Sequence, residues 1–154
     1  MPYAAGFTRY KIKKWMDALA AEINAGGIKL AIHSGSPAAL DRNADPAVPL
    51  TYAGTIASEL TSAGTGYTTG GYVLDEAVVE ASGNAYQIKF SNVAGGAGQV
   101  TTGAGTIAIG TYTAAIYDTL DSNRIIAICT VSVTVASSGG AMVFTIPADA
   151  LKLA

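Results

Sequence analysis

The chain has 154 residues and a formal net charge of −2; half of its residues are hydrophobic and only 13% are charged, about half the usual share for a soluble domain. That is too apolar for disorder. No apolar run reaches the roughly 18 residues of a membrane span, and the acidic balance argues against whole-chain polybasic binding to nucleic acid.

The N-terminal stretch lacks a secretory pattern, because Asp17 and Glu22 interrupt it and its apolar residues are periodic. Ile12, Trp15, Met16, Leu19 and Ile23 recur at helical spacing. Thr8 is placed to cap this segment and Gly26-Gly27 to stop it. The spacing predicts a helix over 8–25 that buries Ile12, Trp15 and Leu19 against a sheet. Next, Ile28, Leu30 and Ile32 alternate with Lys29, Ala31 and His33, a half-buried strand. Pro37, Pro46 and Pro49 make residues 34–54 a loop, and a short helical turn is expected over 55–61. Gly64, Gly66, Gly70 and Gly71 surround Tyr67 in a permissive loop that ends at Tyr72.

From there the sequence reads as β. A strand over 73–82 turns at Gly83-Asn84 into 86–90, with Tyr86, Ile88 and Phe90 on one face. Residues 95–105, poor in large side chains, read as an exposed loop. Residues 107–117 form a strand with Tyr112 and Tyr117 on opposite faces. A turn over 118–123 leads to a long strand over 124–136, and Ser137-Ser138-Gly139-Gly140 reverses it into 142–146. The expectation is one domain over 1–154: an arm and helix over 1–27, then a β-sandwich over 28–154 with long loops at 34–54 and 95–105. The fold class is mainly β, an antiparallel, jelly-roll-like sandwich with one N-terminal amphipathic helix.

The chemistry-bearing residues are few. A single cysteine, Cys129, lies among Ile125, Ile126, Ile128 and Val131 and reads as a small hydrophobe; alone, it cannot close an internal disulfide. A single histidine, His33, stands at a strand end without a nucleophile elbow, which starves nucleophilic and zinc schemes. Asp75, Glu76 and Glu80 cluster, and Asp118 and Asp121 bracket a turn, but acidic residues at strand ends more often serve turn chemistry and solvation. Asp41, Asn43 and Asp45 begin like a calcium loop, which Pro46 and Tyr52 then break. No catalytic residue, metal or cofactor is expected.

Two features suggest contact with a partner instead. Arg9, Lys11, Lys13 and Lys14 put four of the nine basic residues within six positions, interleaved with or preceded by Tyr3, Phe7 and Tyr10. They form a docking face for an acidic surface or a solvated helix face, with non-specific nucleic-acid contact a weaker third reading. Tyr67, between Gly66 and Thr68, is placed to anchor a mobile loop with Gly70, Gly71 and Tyr72. Ala, Gly, Thr and Ser together supply 73 residues. Such neutral, small-residue faces suit packed subunits, although an Ala-rich host composition gives the same texture.

In order, the helix, the strand IKLAIHSG at 28–35, the Pro/Asp-rich loop, ELTSAGTGYTTGG at 59–71, AAIYD at 114–118 and RIIAI at 124–128 resemble small virion structural proteins of tailed bacteriophages. The Gly/Thr-rich stretch from 95 to 110 departs from that pattern. The resemblance implies a non-enzymatic capsid decoration (cement) protein. Such a protein is made in the host bacterial cytoplasm and carried on the outer capsid surface. Its partners are the major capsid protein and itself, as a dimer or trimer, with no nucleic acid and no membrane. Tyr3, Phe7, Arg9, Tyr10, Lys13, Lys14, Gly66, Tyr67, Gly70, Gly71 and Tyr72 are the candidate interface. A neck, tail or fibre-base subunit is one alternative. A carbohydrate-binding adhesion module, stacking sugars on Tyr52, Tyr67, Tyr72 and Tyr112, is another.

Overall fold

A computed structural model describes residues 6–34, 51–52, 58–60, 67–90, 99–104, 109–135, 141–146 and 150–153. The elements are α1 (Arg9–Asn24), β1 (Ile28–His33), β2 (Tyr72–Val73), β3 (Ala77–Ser82), β4 (Ala85–Phe90), β5 (Gln99–Ala104), β6 (Gly110–Asp118), β7 (Arg124–Val135), β8 (Ala141–Thr145) and β9 (Leu151–Leu153). The strands form two antiparallel sheets, one ordered β2-β1-β6-β7-β8-β5 and one ordered β3-β4-β9. Among the described residues both sheets keep free edges, so the arrangement is an open, mainly β sandwich and not a closed barrel.

The helix begins and ends where its local chemistry demands. The Lys11 N–H donates to Thr8 Oγ1 at 3.4 Å, which satisfies one of the donors left over in the first turn. At the other end Gly26 takes φ +83° and its N–H donates to Ile23 O at 2.9 Å. The buried side is Ile12, Met16, Ala20 and Ile23, packed on β3 and β4. Trp15, expected in the core, lies on the flank of that side and is 45% exposed. The arc of helix the sheet can cover is narrower than the sequence stripe, and Phe7 supplies Trp15 with a neighbour instead.

One core joins the layers: Ile12, Met16 and Ile23 from the helix, Ile28, Leu30 and Ile32 from β1, Ile88 and Phe90 from β4, Ala114 and Ile116 from β6, and Val131 and Val133 from β7. Tyr86, Ile88 and Phe90 share the inward face as expected. Tyr112 and Tyr117 take opposite faces of the larger sheet. Strand β1 is not half-buried as the alternation suggested. Its second face is also covered, because Tyr52 lies on Ala31, Ala115 and Tyr117.

Three further expectations are corrected. Residues 99–104 are not loop; they form the edge strand β5, with Val100 opposite Phe144 and Thr101 opposite Val143. Pairing with β8 satisfies the backbone groups on the inner side of β5, so no large side chain is needed to mark the strand. The single strand expected over 73–82 is two. The Leu74 N–H donates to Ile28 O, Glu76 turns at φ +49°, and the Ala77 N–H donates to Asn24 Oδ1 at 2.6 Å. The chain thereby crosses from one sheet to the other. Residues 58–60, expected as helix, are not helical: Ser58 turns at φ +72°, Glu59 bridges His33, and the Leu60 N–H donates to Ile32 O. They close an edge of β1 that would otherwise be left bare. The Asp41, Asn43 and Asp45 motif and the turn at 137–140 lie outside the described residues.

Candidate functional site

The two halves of the expected interface meet different fates. At the start of α1, Phe7 and Tyr10 are 68% and 72% exposed, and Arg9, Lys11, Lys13 and Lys14 are all at the surface. The Phe7 ring meets Trp15 edge-on, with centroids 4.8 Å apart. The Arg9 guanidinium lies 5.5 Å from the centre of the Tyr86 ring, a cation–π contact that ties the first turn to β4. Lys13 is paired with Asp17 at 2.7 Å, one turn on. Among the described residues Lys11 and Lys14 have no ion pair. The result is three outward-facing aromatics with uncommitted positive charge beside them. Tyr3 lies outside the described residues.

The glycine-rich loop behaves otherwise. Tyr67 is 2% exposed and belongs to the core, so it is not the anchor of a mobile loop. Its hydroxyl accepts from the Ile32 N–H at 3.1 Å and donates to Glu59 Oε1 at 2.9 Å. The same carboxylate oxygen accepts the Gly70 N–H at 2.7 Å, and the Tyr117 hydroxyl donates to Gly70 O. Gly71, at φ +82°, passes so close to β1 that a Cβ would stand 2.4 Å from Leu30 O. Sequence reasoning misjudged this loop because its partners lie on β1 and in the 58–60 segment. Gly66 lies outside the described residues.

The buried aromatics meet in two sets. Tyr52 stacks on Tyr117 at 4.3 Å and meets His33 edge-on at 5.8 Å, and Tyr67 meets Tyr72 edge-on at 5.4 Å. Burial, reinforced by the nearby Glu59 charge, pushes the hydroxyls of Tyr52 and Tyr67 well above the ordinary tyrosine range and raises that of Tyr117. Tyr72 is pushed up to about 12 by burial. Of the four tyrosines offered as sugar platforms, Tyr52 and Tyr67 are thus buried, and Tyr72 and Tyr112 are half-buried against the core.

A second charged region lies at the far end of α1. Glu22 faces Asp118 and Asp121, and its carboxyl is held above the usual range by burial, then by the hydrogen bond and charge of Asp118, then by Asp121. Glu80 is used structurally, paired with Lys89 at 2.7 Å, which lowers its carboxyl. Cys129 is half-buried beside the core. Among the described residues no three His, Cys, Asp or Glu side chains gather to hold a metal ion, and no helix is long and apolar enough to cross a membrane.

One surface escaped the sequence reading. On the outer face of the larger sheet, Thr111, Thr130, Ser132 and Thr145, with Val131, line a shallow depression of about 290 Å³. The alternation of Thr111 with Tyr112, and of Thr130 and Ser132 with Cys129 and Val131, was the available signal. Residue parity would have put the hydroxyls together.

No family model, curated protein or solved structure matches this chain.

Proposed function

We propose that the chain is a non-enzymatic structural subunit of a tailed-bacteriophage virion, a capsid decoration (cement) protein that binds the major capsid protein lattice on the outer shell. The observation that carries this reading is the solvent-facing pair Phe7 and Tyr10 with Lys14 one turn on. Aromatics supply large contact area at low entropic cost, and an adjacent lysine favours an acidic partner surface. The low overall charge supports it, since few ions must be stripped of water when subunits meet. A subunit that binds only the assembled lattice stabilises it by mass action.

Quantitative mass spectrometry of purified virions of the encoding phage tests the assignment. A copy number near that of the major capsid protein is the expected result. A handful of copies moves the chain to the neck, tail or fibre base, and absence from the particle overturns the virion reading altogether. The adhesion alternative has less to stand on, because two of its four tyrosine platforms are in the core.

A further inference from the structure

The outward side of α1 carries a pattern that its inward packing does not explain. Lys11, Trp15, Ala18 and Glu22 are all exposed. At spacings of four, three and four they fall in one stripe along the helix. The stripe is self-complementary end to end: a cation, a large ring, a methyl group, an anion. Its midpoint falls between Met16 and Asp17. Reversing a second copy about that midpoint sets Lys11 against Glu22 and Trp15 against Ala18.

The helix charges point the same way. Its first turn holds no acid and its last turn no base. Arg9 and Lys11 sit at the positive end of the helix dipole and Glu22 toward the negative end, the reverse of what stabilises an isolated helix. An antiparallel neighbour cancels both ends together. Lys11 has no ion-pair partner among the described residues. Glu22 already carries the repulsion of Asp118 and Asp121, so an arriving lysine relieves it. Lys13 and Asp17 lie off the stripe and satisfy each other. Along this stripe a uniformly acidic partner would suit Lys11 but would press on Glu22, Asp118 and Asp121, so a second copy fits it better; Lys14 lies off the stripe. Leu120, 76% exposed and against Gly27, extends the apolar ground at the end where Phe7 of the second copy would arrive.

We propose that this stripe is the chain's self-association surface: two copies pair through α1, antiparallel about a twofold axis, with Lys11 of each on Glu22 of the other and Trp15 over Ala18. The inference rests on reading the chain as an assembling subunit and gives that assembly a specific contact. Such a contact is isologous, so each pair occurs twice.

The test uses the isolated full chain. Trp15 is its only tryptophan, so fluorescence reads this surface directly. With increasing concentration, emission shifts to the blue in step with a monomer–dimer transition in sedimentation equilibrium. Lys11→Glu and Glu22→Lys each weaken the dimer about tenfold or more, because an attractive pair becomes repulsive at two places. An equimolar mixture of the two variants restores pairing, because the two chains then offer opposite charges at both contacts. Trp15→Ala abolishes association while circular dichroism stays unchanged. A chain monomeric at every concentration, a trimer, or a mixture no better than its components overturns the pairing. A monomer would leave the virion copy number free to decide the capsid reading, so the two failures are distinguishable.

Discussion

The Tyr67 hydroxyl stands 3.1 Å from the Ile32 nitrogen, in the place where a neighbouring strand would offer a carbonyl to β1. Above it β2 pairs with Lys29 and Leu30, and below it Leu60 takes the Ile32 carbonyl. One phenol therefore completes a sheet edge, and its own proton goes to Glu59 at 2.9 Å. Tyr67→Phe leaves the Ile32 N–H and Glu59 Oε1 each short of a bond in a buried place. The expected loss is about 1–3 kcal/mol of unfolding free energy, read as a lower denaturant midpoint at unchanged slope. A variant as stable as the parent would mean that the phenol closes nothing.

Gly70 and Gly71 separate conformation from contact. Both have positive φ, at +93° and +82°, but only Gly71 has backbone in the way of a Cβ. Gly71→Ala is expected to cost well over about 1 kcal/mol, because strain is joined by a collision with Leu30 that no rotamer can relieve. Gly70→Ala meets open space and costs less. Thermal melts of the two variants side by side give the comparison.

At Glu22 the sign of the pH dependence is opposite to the familiar carboxylate case. Its carboxyl is raised in the folded chain by burial, Asp118 and Asp121, so the folded state holds the proton more tightly than the unfolded state. Its contribution is therefore present below the ordinary glutamate range and lost as pH rises through the raised value. Glu22→Gln is expected to raise the melting temperature at pH 7, with the difference shrinking towards pH 4. Melts in dilute solution, where self-association is absent, check this. A variant that melts lower at pH 7 would contradict the repulsion.

Phe7→Ser and Tyr10→Ser address the proposed capsid contact. Both side chains are largely in water, and surface changes of this kind usually alter stability by no more than about 0.5 kcal/mol. Binding to undecorated capsids is expected to fall while the melting temperature holds. Full retention of capsid binding by the double variant would remove this patch from the interface.

The parts of the fold that were legible in the sequence are the locally determined ones. Thr8 and Gly26 bracket α1 to within a residue, and Gly83, at φ +61°, turns β3 into β4 with Ser82 opposite Ala85. The inward parity of Tyr86, Ile88 and Phe90 also follows from sequence alone. What escaped was decided by distant partners. Tyr67 looks like a flexible anchor between glycines until Ile32 and Glu59 are brought to its hydroxyl. Tyr52 sits in a proline-rich stretch, yet the Tyr117 ring and the Asn123 carbonyl fix it. Strand β5 carries no bulky pattern of its own and exists because β8 has a free side. Trp15 belongs to the helical stripe by number, and only the width of the underlying sheet leaves it outside.

The order of strands also sets a timetable. Strand β1 lies between β2 and β6, and β4 between β3 and β9. A nascent chain that has released the helix and β1 must still wait for residue 110 and beyond before β1 gains its long neighbour, and for Leu151–Leu153 before the small sheet gains its third strand. Contacts so far apart in sequence close slowly. Until they close, the apolar side of α1 and the flanks of β1 are open to other chains on the ribosome. Production at high yield is therefore expected to be limited by translation outrunning assembly of the sheets, and slower synthesis at reduced temperature is the natural remedy.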